Sequence, residues 1–265
     1  DVDKVSKSSS IFSGIFTPQG KYLYEFFIIK SKNGYFLDCD DEFTSEIIEY
    51  LSKYKLRSKI EIRDFSSEYA VGIINLDKFK EIQTITLKNS ETIIYRDCYI
   101  FADPRTKKLG ARILSNLELL YLVIKKLNLQ ITDSEIYFKK AHTLGVPIKG
   151  IKNLKDKLFG LEANFEKLQA IDFKKGCYVG QENTARMKLK NKLRRRLLPI
   201  ISNVKLKVLD EIKFKESVIG KILIDGEYPF ALIKLFDPVF KEFVKQNLKV
   251  NKFDVKILAP YYFSI

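Results

Sequence analysis

Residues 174–182 read KKGCYVGQE, with Cys177 between Gly176 and Gly180 and directly after Lys174 and Lys175. Neighbouring ammonium groups favour the thiolate form of a cysteine. The two glycines lack Cβ atoms, so another backbone or a ligand can come close. Gln181 and Glu182 offer polar groups where a helix is predicted to start, and an acidic residue there suits the helix dipole. A thiolate in this setting can ligate iron, exchange disulfides or attack carbon. Clusters usually take four ligands, so one cysteine points to transient or bridging use rather than permanent cluster storage. A tight domain junction that needs two glycines and a small buried sulfur accounts for the same pattern, and both readings stand open.

Other chemistries are excluded by what the chain lacks. Cys39, Cys98 and Cys177 lie far apart and form neither a CxxC pair nor a disulfide framework, which favours a reducing compartment. His142 is the one histidine, so there is no HExxH site, and any Ser-His or Cys-His mechanism depends on it. With no carboxylate or cysteine near it in sequence, it reads as a surface or helix-packing residue. Glycine-rich phosphate cradles are absent. No permanently bound metal is expected.

The formal charge is +14. That favours an anionic partner, although lysine-rich coding produces the same excess. The run RMKLKNKLRRR at 186–196 holds seven of the basic residues in eleven positions. Arg186, Arg194 and Arg196 are its candidate anion-binding residues, since strand alternation beginning near 193 puts 194 and 196 on one face. A solvated helix-to-strand connection is the alternative. No apolar run reaches the ~18 residues of a membrane span, and no membrane partner is expected. No signal peptide is visible at the start.

The supporting elements follow from periodicity. Residues 20–40 read as a hairpin turning at Asn33-Gly34 with positive φ. Residues 41–56 form a helix capped by Asp40 or Asp41, with Phe43, Ile47, Ile48, Leu51 and Tyr54 on one face. KIEIRDFS (59–66) and YAVGIIN (69–75) alternate as strands, and ETIIYRDCYIFADPR (91–105) reads as one strand ending at Pro104. Residues 115–130 and 134–145 are helices, 146–172 a long irregular loop. From about 193 short strands suggest a small closed or sandwich domain.

FKKGCYVGQE matches the Lys-Gly-Cys-Tyr/Phe-x-Gly-Gln-Glu signature of the YgfZ-type folate-binding proteins, relatives of the glycine-cleavage T-protein, an aminomethyltransferase. The matching residues are Lys175, Gly176, Cys177, Tyr178, Gly180, Gln181 and Glu182. TPQGKYLYEFFI (17–28), YKLRSKIEIRD (54–64), ADPRTKKLGARIL (102–114), LGVPIKG (144–150) and ALIKLFD (231–237) resemble further family segments. The opening DVDKV resembles the tail of a segment preceded in the family by about one strand and one helix. In the T-protein an acidic residue usually stands at the Cys177 position, so this chain sides with the YgfZ branch.

The resemblance implies an α+β, three-part, ring-like T-protein fold. Its parts are a discontinuous folate-binding domain (1–40 and 113–186), an inserted ferredoxin-like lobe (41–112) and a C-terminal β-barrel (190–265). It implies tetrahydrofolate or a derivative as cofactor, and a function in assembly or repair of iron–sulfur clusters, including those of tRNA-modifying enzymes. Cys177 is then the functional thiol, with Lys175 beside it. Tyr137 stacks on the pterin or is a core aromatic. Glu162 bonds the pterin edge or is a solvated loop carboxylate. Gln19 and Lys21 meet the folate tail or form an exposed turn. The partners implied are folate and, transiently, iron–sulfur proteins, with a monomeric chain in the cytoplasm, or in the mitochondrial matrix if eukaryotic. Whether the chain is an enzyme stays open. The alternative is a folate-dependent aminomethyltransferase, which needs a carboxylate against the folate one-carbon position.

Overall fold

The computed structural model describes residues 1–190 and 193–263. They fall into two compact units. The first comprises residues 1–14, 24–132 and 169–171, and the second 15–23, 133–168 and 172–265. The inserted lobe expected over 41–112 falls within the first, and the expected barrel within the second.

In the first unit, β1 (Ile11–Phe16), β2 (Tyr22–Lys30) and β3 (Tyr35–Cys39) form an antiparallel sheet in that order, with β1 and β2 running on into the second unit at 15–16 and 22–23. The β2–β3 turn differs from the expected one. Lys30 pairs with Tyr35 across a four-residue loop closed by a Ser31 N–H to Gly34 carbonyl bond of 3.0 Å, and neither Asn33 nor Gly34 takes a positive φ. Four loop residues close the hairpin without the two left-handed residues that a two-residue turn demands. Helix α1 (Thr44–Lys55) follows a 3-10 turn capped by Asp40, whose side chain accepts from the Glu42 N–H at 3.0 Å.

The rest of this unit is β4 (Tyr69–Ile74), α2 (Leu76–Thr86), β5 (Thr92–Tyr95), β6 (Cys98–Ala102), β7 (Ala111–Asn116) and α3 (Leu117–Lys126). The sheet order is β4-β7-β6-β5. Phe79 and Ile82 of α2 and Val123 of α3 share one buried cluster with Ile93, Ile100 and Ile113 of the sheet. Each such side chain contributes about 1.5–3 kcal/mol by leaving water. Asn75 and Asn116 cap the two helices through bonds from the Lys78 and Leu119 N–H groups.

Two strand expectations are corrected here. Residues 59–65 alternate but form no strand, because β4 pairs with β7 and no strand among the described residues pairs with them; alternation without a neighbouring strand gives no ladder. The segment 91–105 is two strands, since Arg96 and Asp97 both adopt positive φ and make a two-residue hairpin.

The second unit contains α4 (Glu135–Thr143), a 3-10 turn at Ile151–Leu154, α5 (Gln181–Leu189) and a closed barrel. The barrel strands are β8 (Arg195–Ser202), β9 (Glu211–Phe214), β10 (Ser217–Ile224), β11 (Phe230–Lys234), β12 (Leu248–Val250) and β13 (Phe253–Ile257). They close in the order β10-β11-β8-β13-β12-β9, and a short α6 (Phe240–Phe243) precedes β12. Leu198, Ile200, Ile212, Ile222, Ile233, Leu248 and Val255 fill the interior with Phe240 and Phe243. This is the alternation that the sequence carries from 195 onward.

Candidate functional site

The signature lies in an irregular stretch that ends at α5. The Asp172 carboxylate accepts from the Lys174 N–H at 2.8 Å and opens a turn. Cys177 follows, exposed to solvent. Cys39 is half-buried and Cys98 is fully buried, its Sγ 3.1 Å from the Ser115 hydroxyl. Burial pushes both of those thiols up. Of the three thiols, Cys177 is the one open to solvent.

Gly180 fixes the segment in place. It sits at φ +84°, and a Cβ there would lie 2.6 Å from the Thr17 carbonyl oxygen and 2.9 Å from Gly20 Cα. Thr184 donates to the Gly180 carbonyl at 2.9 Å, and Asn183 Nδ2 donates to the Gln19 carbonyl, also at 2.9 Å. The Tyr178 N–H donates to Gln181 Oε1 at 3.3 Å. Gly180 and Asn183 therefore hold the start of α5 against the 17–20 turn, while Gln181 braces the signature internally. Gly176 differs: its φ is ordinary and a Cβ there meets nothing within 4 Å.

The two glycines thus give opposite expectations. Gly180→Ala places a methyl group against backbone at a positive φ, and we expect a loss of about 2–4 kcal/mol, strain and overpacking together. Gly176→Ala should leave stability within about 0.5 kcal/mol. Urea denaturation of both variants measures this, and equal effects would remove the distinction.

Lys175 and Tyr178 are coupled, with the ammonium 5.5 Å from the ring centroid. The Tyr178 ring stands 6.4 Å from that of Phe16, and burial raises its phenol against a lowering hydrogen bond with Thr184. Glu182 pairs with Arg186 one turn on at 2.6 Å, both exposed.

Glu162, at the centre of the expected folate contacts, is buried rather than solvated, with 3% of its surface exposed. Its carboxylate accepts from the Phe159 N–H at 3.0 Å, from Arg195 Nε at 2.8 Å and from Arg195 Nη2 at 3.3 Å. A carboxylate has about four acceptor positions, so three are taken, and a bidentate ligand must displace the longest contact. Phe159 also bridges to Lys21. Gln19, Lys21, Glu162 and the signature are therefore joined through Phe159 and the Gly20–Gly180 contact. Tyr137 takes no part in those contacts. It is half-buried on α4 with its ring 5.8 Å from Phe138.

The basic run is engaged unevenly. Strand β8 begins at Arg195, so Arg194 precedes it, exposed, and its carbonyl accepts from the Leu235 N–H at 2.8 Å. Arg196 is half-buried, donates to Asn164 Oδ1 at 2.8 Å and stacks 5.5 Å from the Phe263 centroid, and burial lowers its pKa. Asn191 and Lys192 of the run lie outside the described residues.

Sequence reasoning missed Asn164 and Arg195. Asn164 is buried at φ 63° and donates from Nδ2 to the Leu197 carbonyl at 2.7 Å, while the Leu197 N–H bonds the Glu162 carbonyl at 2.8 Å. Glu162 and Asn164 thus clasp β8. The available signal was the asparagine, the non-glycine residue type most at ease with positive φ.

His142 packs on α4 with rings of Tyr228 and Phe230 at 5.6 and 5.2 Å, and its Nε2 lies 3.0 Å from the Pro229 carbonyl. A carbonyl only accepts, so Nε2 carries the hydrogen. Burial depresses the pKa from 6.5, against the raising effect of that bond. Below about 6.5 the unfolded chain takes up a proton that the folded ring refuses. Stability is therefore complete above that value and falls with pH until the lower folded value is reached. Melting temperatures between about pH 7 and pH 5 should fall more for the native chain than for His142→Gln. Parallel profiles would refute this.

Among the described residues, no group of three or more His, Cys, Asp or Glu side chains is arranged to hold a metal ion. No protein-family model matches the chain. It is 29% identical over 228 residues to the mitochondrial iron–sulfur cluster assembly factor IBA57 homolog of Dictyostelium discoideum, covering 77% of this chain and 55% of that protein. It is 27% identical over 189 residues to the mitochondrial IBA57 of Mus musculus, covering 69% and 51%. The chain thus spans about half the length of the curated relatives it matches. Among solved structures, the glycine cleavage system aminomethyltransferase T from Bartonella henselae superposes with a TM-score of 0.68, over 96% of this chain and 75% of that one, at 10% identity. The chain has the fold of the aminomethyltransferase T and is similar in sequence to the IBA57 iron–sulfur cluster assembly factors, the relationship that the segment around Cys177 led us to expect.

Proposed function

We propose that this chain is an accessory protein for iron–sulfur cluster assembly or repair, with Cys177 as its functional thiol and tetrahydrofolate or a derivative as its ligand. The observation that carries this reading is the exposure of Cys177 on a segment pinned by the Gly20–Gly180 contact. A ligating side chain must be reachable and must not wander. The cluster is cargo. One thiolate fills one of about four ligand positions, so a client or donor protein supplies the others and the cluster passes between them. The names of the relatives support the assembly role, and support a mitochondrial setting over the cytoplasmic one.

Folate would lie near Gln19, Lys21 and Glu162. There Arg195 must yield one contact before Glu162 can hold a pterin edge in a bidentate manner. Arg186, exposed although paired with Glu182, and Arg194 remain candidates for an anionic partner such as RNA phosphate or an acidic protein, whereas Arg196 is half-buried against Asn164. The second reading, a folate-dependent aminomethyltransferase, is favoured by the fold likeness and disfavoured by cysteine at a position where that enzyme carries an acid.

The test is complementation of a strain lacking its own cluster assembly factor, read as the activity of a four-iron enzyme. Titration calorimetry with tetrahydrofolate and an aminomethyl-transfer assay accompany it. Restored four-iron activity without transferase activity supports the reading. Transferase activity without restoration replaces it with the rival.

A further inference from the structure

The end of α1 carries a feature that the proposed function does not use. From Tyr50 to Ile60 the sequence is YLSKYKLRSKI, with Lys53, Lys55, Arg57 and Lys59 and no acidic residue. Lys53 pairs with Glu49 at 2.6 Å, and beyond the stretch Arg63 pairs with Glu61 at 2.7 Å. Apolar side chains interleave with these cations and are open to solvent: Tyr54 is 58% exposed, Leu56 87% and Ile60 53%. Leu56 ends the helix at φ 48°, ψ −121°, where a leucine is strained and a glycine is at ease. The chain then turns tightly, the Ser58 N–H bonding the Lys55 carbonyl at 2.9 Å.

We propose that residues 53–60 form a contact site for an anionic lipid surface, with Leu56 and Ile60 entering the headgroup–acyl boundary and Lys55, Arg57 and Lys59 meeting the headgroups. Two observations point to lipid over other anionic partners. Between Glu49, which pairs with Lys53, and Glu61, whose carboxylate Arg63 and also Lys55 help to hold ionised, the charged side chains are cations only, and Arg57 and Lys59 stay exposed for a negative surface. Two aliphatic side chains, Leu56 and Ile60, stand open to solvent beside them. Nucleic acid offers phosphates and stacked bases but nothing apolar to receive a leucine, whereas the boundary of a bilayer does. Long basic side chains can keep their charge at the headgroups while their stems lie along apolar groups. No membrane span is required: among the described residues no helix is long and apolar enough to cross one, and a surface contact needs none. The sequence expectation of no membrane partner rested on that span alone.

The full chain is sedimented with vesicles of phosphatidylcholine, and with vesicles that also contain phosphatidylserine, at low and physiological salt. Binding is expected to the anionic vesicles and to weaken with salt. Leu56→Gly with Ile60→Ser removes the aliphatic groups while suiting the backbone, and should weaken binding by about tenfold or more. Arg57→Ser with Lys59→Ser should weaken it about thirty-fold. Neither variant should melt below the native chain, since all four residues are exposed and Leu56→Gly relieves the strain at φ 48°. No binding to anionic vesicles at low salt overturns the proposal. So does unchanged binding of the Leu56→Gly, Ile60→Ser variant, which would leave charge alone at work. Binding of oligouridine without vesicle binding, lost in the Arg57→Ser, Lys59→Ser variant, assigns the surface to nucleic acid and likewise overturns it.

Discussion

Replacing Cys177 with serine is expected to abolish complementation in an iron–sulfur-deficient strain while leaving the fold intact. The thiol is exposed, and exposed substitutions away from caps and cores usually stay within about 0.5 kcal/mol. A serine hydroxyl gives up its proton to a metal far less readily than a thiol, so it is a poor iron ligand. Losing even an outer-shell partner costs a metal site about 10–100-fold, and losing the one exposed ligand should cost at least as much in four-iron enzyme activity. Cys39→Ser and Cys98→Ser are the controls. Cys98→Ser should act through stability, because it changes a buried side chain that packs on Ser115. Iodoacetamide should label Cys177 well before the other two. Full complementation by Cys177→Ser would sink the assignment of this thiol, whatever the fate of the other two cysteines.

The second large effect is expected at a buried ion pair to which no chemistry is assigned. In the first unit, Asp103 and Arg105 are almost completely buried, with side chains 1% and 3% exposed. Arg105 Nη2 lies 2.7 Å from Asp103 Oδ2, Nε lies 3.0 Å from Oδ1, and the Arg105 N–H donates to Oδ1 at 2.9 Å. The guanidinium also lies over the rings of Phe27 and Phe12, at 4.8 and 5.4 Å. Removing one partner of a buried ion pair leaves a charge in low dielectric, and costs about 3–5 kcal/mol. Asp103→Ala should lose about that much in urea denaturation. Replacing both together, Asp103→Leu with Arg105→Met, should recover most of the loss, because the desolvation cost of both charges disappears with them. A double variant no more stable than Asp103→Ala would show that the pair orders the loop by geometry rather than by charge balance.

Several elements were legible because their signals are local. Helices α1, α3 and α4 and the strands from 195 onward follow from periodicity within a few positions, although Asp40 caps the 3-10 turn ahead of α1 and the helix itself starts after Phe43 without a side-chain cap. Helix α2 went unread, although Asn75 caps it and Phe79 and Ile82 mark its buried side. The Arg96-Asp97 hairpin went unread because neither residue is a glycine, so its left-handed geometry has no strong signature.

The candidate site divides along the same line. Cys177 and its glycines are contiguous, so sequence alone singled them out and brought the family resemblance with them. The roles of the two glycines were alike on paper. Tertiary structure separated them, because only Gly180 has the Thr17 carbonyl and Gly20 against it, and a contact across about 160 positions leaves no mark in either segment. Glu162 shows the same limit. Its carboxylate was nominated for a ligand, yet what it meets is Arg195 and the Phe159 N–H. A carboxylate reads the same in sequence whether it faces water, a ligand or a guanidinium, and burial beside a distant cation is decided only when the chain folds.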